Sequence, residues 1–245
     1  MRLTVSLCLA LGLEVAAASA SAQEAAKTPP AAPEVKVEDC AADPSRLGLS
    51  RVVEIDTTNG PHFGGMHGGN NAFLEDGEVV LTFDDGPSPS HTRKILAALA
   101  AHCTKATFFM VGRMAAADPA MVREVAVAGH TIGSHTWSHK NLGVLAFPRS
   151  RKEVETAIST ITAANRAPIS PFFRFPYLSD SKSVDAYLKE RNVANIWIDV
   201  DSKDYLTRDP KLVIRRIMAQ LATKHKGIIL MHDIQLSTSR AIDTL

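Results

Sequence analysis

Two imidazoles stand four residues apart in His135-Thr-Trp-Ser-His139, and two carboxylates stand side by side in Asp84-Asp85. On a helical turn the four-residue spacing puts both imidazoles on one face, close enough to share a cation. Alone, H-x-x-x-H is a weak signal that more often marks two surface histidines. Likewise Asp84-Asp85-Gly86-Pro87 alone reads as a turn. Together they point to chemistry. Two imidazoles and one carboxylate make a common three-ligand catalytic zinc site, with a position left open for water. The second carboxylate could then take a proton from that water. Further polar clusters lie at Arg174-Phe-Pro-Tyr177, at Asp201 to Asp204 and at His232. No Ser or Cys sits in a recognisable nucleophile elbow, and hydrolysis by activated water needs none.

The elements that must position these groups begin at Glu78. Short β-rich runs at 79–83, 106–111, 130–134, 172–175, 194–200 and 227–231 alternate with helical patterns. Residues 153–165 place Val154, Ala157, Ile158 and Ile161 on one stripe, and 210–224 do the same with Val213, Ile217 and Leu221. Pro119 and Pro210 stand where helices are expected to start. Strand–helix alternation implies parallel strands with crossovers, hence an α/β fold. Each polar cluster follows a strand run, and in a parallel fold all strand C-termini open onto one face, where barrel enzymes assemble their sites. Clusters spread over about 150 residues are therefore expected to meet in space. The alternation leaves an α/β sheet and a barrel open; the resemblance given below implies a distorted, TIM-like (β/α) barrel of parallel strands. Residues 237–245 read as the start of another helix; the same resemblance implies a closing strand after it, so either the barrel is open here or the sequence is incomplete.

Five segments occur in order: Thr82-Phe-Asp-Asp-Gly86, His135-Thr-Trp-Ser-His139, Arg174-Phe-Pro-Tyr177, Asp201-Ser-Lys-Asp-Tyr205 and Leu230-Met-His232. They resemble the five motifs of the polysaccharide deacetylases, carbohydrate esterase family 4, which carry the nodulation-protein deacetylase homology domain. The resemblance implies that Asp85, His135 and His139 hold Zn²⁺ or another divalent metal such as Co²⁺. It implies Asp84 as general base held by Arg174, and His232 as general acid paired with Asp204. The backbone N–H of Tyr177, after Pro176, would stabilise an oxyanion, while Leu230 and Tyr205 would line an acetyl pocket. Position 205 departs from the family, which usually has Trp there. The implied activity is removal of N-acetyl groups from an N-acetylglucosamine-containing polysaccharide of chitooligosaccharide or peptidoglycan type. Alternatives are an O-acetyl esterase of xylan type and a catalytically inactive glycan-binding relative.

The 245 residues are 45% hydrophobic and 22% charged, with a formal net charge of +1. That balance gives no electrostatic case for a nucleic-acid partner. Arg2, a mostly apolar run over 3–15 and Ala20-Ser21-Ala22 make residues 1–22 read as a secretory signal peptide, too short for a stable membrane span. The expected location is periplasmic or secreted. Residues 23–77 read as a linker and an irregular extension in which His62 and His67 are ordinary loop histidines, and 78–245 as the catalytic domain. Cys40 and Cys103 could form a disulfide in an oxidising compartment, or be two unrelated thiols.

Overall fold

A computed structural model describes residues 46–245. The expected signal peptide and Cys40 lie outside the described residues; Cys103 is disulfide-bonded. Among the described residues no helix is long and apolar enough to cross a membrane.

Eight strands form one all-parallel sheet: β1 (His62–Phe63), β2 (Val79–Asp84), β3 (Thr107–Met110), β4 (Thr131–Ser134), β5 (Phe172–Phe173), β6 (Ala194–Ile196), β7 (Val200–Asp201) and β8 (Gly227–His232). Their order is β1-β6-β5-β4-β3-β2-β8-β7. Helices α1 (Pro89–Ala101), α2 (Gly112–Ala117), α3 (Pro119–Val127), α4 (Phe147–Asn165), α5 (Lys182–Glu190), α6 (Pro210–Lys224) and α7 (Leu236–Ala241) fill the connections. The result is a curled half-barrel, the distorted, open TIM-like fold that the family resemblance implies.

The curl follows from chain length. Strands β6 and β7 are nearly at opposite ends of the sheet, yet only residues 197–199 separate them in sequence. That connector spans no more than about 15 Å, so the two ends of the sheet must approach each other. The expected continuous run 194–200 is therefore broken. Asp199 anchors the crossing: its carboxylate accepts hydrogen bonds from the N–H of Gly65 (2.7 Å), the amide of Asn71 (2.9 Å) and the N–H of Ile228 (2.8 Å).

Alternation along the strands sorts the interior. On β2, Leu81 and Phe83 face the helices together with Ile229 and Met231 of β8. Val80 and Ile228 point the other way into an apolar layer with Phe109 and Ile196. Thr82 and Asp84 on β2, and Leu230 and His232 on β8, share that inner face higher up. They pair in register, Thr82 with Leu230 and Asp84 with His232. The barrel interior thus passes from apolar at its base to ionisable at the strands' C-terminal ends.

Helix α6 begins at Pro210, with Asp209 accepting the N–H of Lys211 (2.9 Å), and α3 begins at Pro119. Helix α4 starts six residues before the expected 153, at Phe147-Pro148, and buries Val154, Ala157, Ile161 and Ala164.

The segment before Glu78 is less irregular than its composition suggests. Residues 62–63 pair with β6, and His62 lies 2.7 Å from Asp185. His67 packs its ring on Trp197 with centroids 4.4 Å apart, and its Nε2 is 3.2 Å from the carbonyl of Leu178. It therefore braces the loop that carries Tyr177.

Candidate active site

All the expected site residues sit at or just past the C-terminal ends of parallel strands. Asp84 ends β2 and Asp85 follows it; His135 and His139 follow β4; Arg174, Pro176 and Tyr177 follow β5. Asp204 and Tyr205 follow β7, and His232 ends β8. Several of these loops hold non-glycine residues at positive φ: Asp85 (79°), Thr136 (66°), His139 (59°), Tyr177 (60°), Leu178 (52°) and Lys203 (48°). Such conformations cost free energy and persist where surrounding structure enforces them.

Asp85, His135 and His139 each offer one ligand atom, and these atoms lie within 4.8 Å of one another. Asp85 Oδ1 is 3.1 Å from His139 Nε2 and 3.5 Å from His135 Nε2. It is buried and accepts no hydrogen bond. His135 Nδ1 lies 2.8 Å from the carbonyl of Arg174, which can only accept, so Nδ1 carries the proton and Nε2 presents a lone pair toward Asp85. Burial, helped by the nearby His139 and Arg174 charges, pulls His135 down to about 3 despite the opposing pull of Asp85. Its imidazole is therefore neutral, as a ligand must be. An orphaned carboxylate oxygen facing two imidazole nitrogens fits a divalent cation. The spacing of four does not come from a helix, as the sequence suggested. Residues 135–139 are a loop in which Thr136 Oγ1 accepts the N–H of His139 (3.0 Å).

Beside this cluster lies a buried ion pair. Arg174 NH1 donates to Asp84 Oδ1 (2.8 Å) and to Thr82 Oγ1 (2.7 Å). Its Nε donates to the carbonyl of Ile196 (2.8 Å), and the guanidinium lies 4.2 Å over the Phe109 ring. Arg174 and Asp84 are 0% and 2% exposed. Burial pushes the Asp84 carboxyl above the usual carboxylate range, and Arg174 and then His232 pull it only part of the way back. Replacing Arg174 by Met leaves the Asp84 charge and the carbonyls of Ile196 and Trp197 buried without their donor. We expect unfolding free energy to fall by about 3–5 kcal/mol in urea titrations. A loss below about 1 kcal/mol, the size of a surface pair, would show that the contact is not held in solution.

Opposite, His232 Nδ1 and Asp204 Oδ1 are 2.7 Å apart, while Asp204 Oδ2 accepts the N–H of His232 (2.7 Å) and the hydroxyl of Thr238. Burial acts most strongly on His232 and pulls it down. The Asp204 hydrogen bond and the charges of Asp204, Asp84 and Asp85 together outweigh burial and push it up to about 9. Burial likewise pushes Asp204 up, and the His232 and Thr238 contacts more than offset this, holding it below the usual range. Tyr205, half exposed, meets the His232 ring edge-on at 5.5 Å. Leu230 lies two residues before His232 on the same strand face and is 5% exposed. Tyr177 is 66% exposed, with its ring against His139 at 4.6 Å.

Sequence reasoning missed Asp233. It is 1% exposed, its Oδ2 accepts from Thr92 Oγ1 (2.6 Å), and its N–H donates to the carbonyl of Asp84 (3.2 Å). A side-chain carbon at Gly86 would stand 2.1 Å from this carboxyl, so the Asp84-Asp85-Gly86 loop lies flat against it. Burial pushes Asp233 up to about 7, Thr92 opposes this, and the Asp85 and Asp84 charges add to it. The available signal was its place directly after His232.

A profile of the polysaccharide deacetylases matches residues 73–196, about half of the chain. The chain belongs to the polysaccharide deacetylase family. Among curated relatives, the peptidoglycan-N-acetylglucosamine deacetylase PgdA of Listeria monocytogenes is 34% identical over 68% of this deacetylase-family chain and 34% of its own length. The chitooligosaccharide deacetylase of a Bradyrhizobium strain is 31% identical over 63% of this chain and 70% of its own. The solved peptidoglycan deacetylase of Bdellovibrio bacteriovorus superposes with a TM-score of 0.70 at 31% identity, covering 78% of this chain and 53% of that one. This family member therefore spans about a third of the Listeria relative and about half of the Bdellovibrio chain.

Proposed function

We propose that this chain is a metal-dependent hydrolase that removes N-acetyl groups from an N-acetylglucosamine-containing polysaccharide. The reading includes export by residues 1–22, whose composition carries a secretory pattern. The observation that carries it is the juxtaposition of three ligand atoms within 4.8 Å, a buried Asp84–Arg174 pair and a His232–Asp204 pair on one barrel face.

Asp85, His135 and His139 would hold the cation, Zn²⁺ or a similar ion such as Co²⁺. When bound, a divalent cation supplies Lewis acidity that polarises an acetyl carbonyl and makes water more acidic. Asp84 takes the proton of the attacking water. Arg174 occupies Asp84 Oδ1, which leaves Oδ2 turned toward the imidazole cluster, 3.8 Å from His135 Nε2. A carboxylate raised by burial is a stronger base than one in water. The N–H of Tyr177, the middle residue of the short turn 176–178, would donate to a developing oxyanion. His232 delivers a proton to the departing nitrogen, which an amide requires and an ester needs less. Asp204 keeps that proton on His232 at neutral pH. Leu230 and Tyr205 would wall the acetyl methyl.

The acid must be protonated, so activity is expected to persist below about 9 and to fall as pH rises through that value. In Asp204→Asn the largest contributions that raise His232, the Asp204 hydrogen bond and charge, are gone, and burial is opposed only by the Asp84 and Asp85 charges. The alkaline limb of kcat/KM should move toward or below neutrality, with activity at pH 8 falling by roughly 10²-fold. An unmoved limb would remove His232 from the acid role.

The test is acetate release from N-acetylated chitooligosaccharides, peptidoglycan and O-acetylated xylan, with and without a chelator. The reading expects release from the amino-sugar polymers, loss with chelator and recovery with added Zn²⁺. Release from xylan alone would make the protein an ester hydrolase. Binding of glycans with no acetate released from any of them would make it a glycan-binding relative.

A further inference from the structure

A cleft of about 430 Å³ opens beside the imidazole cluster, lined by Arg113, Ser138, His139, Lys140, Asn141 and Tyr177. Two of these residues belong to the site already described, and the other four have no part in it. Two of the four are cations, and the lining holds no carboxylate. Among the described residues neither Arg113 nor Lys140 has a side-chain hydrogen bond or an ion-pair partner, and both are exposed. The nearest acid with a claim on the cleft wall is already committed. Glu153 accepts the N–H of Ser138 through Oε2 (2.8 Å) and its hydroxyl through Oε1 (2.7 Å).

Rigid parts set the cations in place. Gly112 lies so close to α4 that a side-chain carbon would stand 2.8 Å from the Trp137 ring and 2.9 Å from the Ala157 backbone. The N–H groups of Gly112 and Arg113 donate to the carbonyls of Thr136 and Trp137 (both 2.9 Å). Arg113 is thereby tied to the same loop that presents His135 and His139. Lys140 follows His139 directly. Two positive charges on the wall of a cleft that His139 also lines attract negative charge and disfavour nothing neutral.

We propose that this cleft is a specificity subsite for a carboxylate borne by the glycan next to the sugar being deacetylated, with Arg113 and Lys140 as its recognition groups. The proposal rests on the deacetylase reading and narrows it to an anionic amino-sugar polymer. The carboxylate can come from two sources. It can be a lactyl ether on the sugar itself, as in peptidoglycan strands, or a peptide attached through that ether. A guanidinium can take either carboxylate with two parallel hydrogen bonds, and the ammonium adds a point charge.

The experiment compares the wild-type protein with an R113Q/K140Q variant, both loaded with Zn²⁺, on three substrates. These are neutral N-acetylated chitooligosaccharides, peptide-free peptidoglycan strands with free lactyl carboxylates, and strands still carrying their peptides. The expected result is that kcat/KM on one or both anionic strands falls by roughly 10-fold or more in the variant, while the value on the neutral oligomer changes by less than about 2-fold. Added salt should shrink the wild-type preference, because exposed charges are screened. The neutral substrate doubles as a check that the variant is folded. Loss confined to peptide-free strands assigns the lactyl carboxylate, and loss confined to peptide-bearing strands assigns the peptide. Equal changes on all three substrates, or none on the anionic ones, would overturn the subsite and leave the deacetylase reading standing. Absence of acetate from every substrate would overturn both.

Discussion

Asp84→Asn is expected to lower kcat by about 10³-fold while the protein still binds one divalent ion. The substitution preserves shape. An asparagine oxygen can go on accepting from Arg174, as Asp84 Oδ1 does at 2.8 Å. Its amide nitrogen then occupies the place of Oδ2, the oxygen turned toward the His135 imidazole. A donor now stands where the reaction needs an acceptor for the proton of water. No ligand atom of Asp85, His135 or His139 is altered, so metal content, read by elemental analysis of the dialysed protein, should match the wild type. A cost in stability is also expected, since Arg174 loses its counter-charge in a fully buried position. Activity is therefore to be measured well below the variant's melting temperature. A kcat within 10-fold of wild type, or metal lost in step with activity, would strip Asp84 of the base role.

Why these particular residues could be found in the sequence, and others not, is a matter of range. The groups at β2, β4 and β8 are each written within a few residues of a strand, and a parallel sheet gathers strand ends without further instruction. The barrel interior was legible for the same reason: period-two alternation puts Thr82, Asp84, Leu230 and His232 on one face. The loop between His135 and His139 was not. Its spacing of four matches a helix, but the real conformation places Thr136 and His139 at positive φ, which a β-branched threonine rarely adopts and nothing in the sequence announces. The break in 194–200 was hidden because its cause is distant. Asp199 reaches Gly65, Asn71 and Ile228, and nothing local distinguishes it from any other aspartate in a strand. The pairing of 62–63 with β6 is hidden likewise, since two residues carry no periodicity. Asp233 escaped because its work is done on the backbone of a loop about 150 residues earlier, where only the absence of a side chain at Gly86 records the contact.

His135→Ala should abolish activity by a different route, and the contrast with Asp84→Asn separates holding the metal from using it. His135 is the fully enclosed member of the three, 2% exposed, and its orientation is fixed by the bond from Nδ1 to the Arg174 carbonyl. Removing the ring deletes one lone pair aimed at Asp85 and opens a void in a buried position. Affinity for Zn²⁺, measured by competition with a chromogenic chelator, is expected to fall by more than about 100-fold. His139 is the useful comparison. It is half-buried beside solvent and Tyr177, so in His139→Ala a water molecule can take the vacant position, and a smaller loss is expected. The buried backbone carbonyl of Arg174 also loses its partner in His135→Ala, so part of the damage will appear as lower stability. Metal affinity measured on protein shown to be folded by circular dichroism removes that ambiguity. If His135→Ala bound Zn²⁺ as tightly as Asp84→Asn does, the cation would not be held where Asp85, His135 and His139 converge, and the assignment of Asp84 as a base beside it would fall with it.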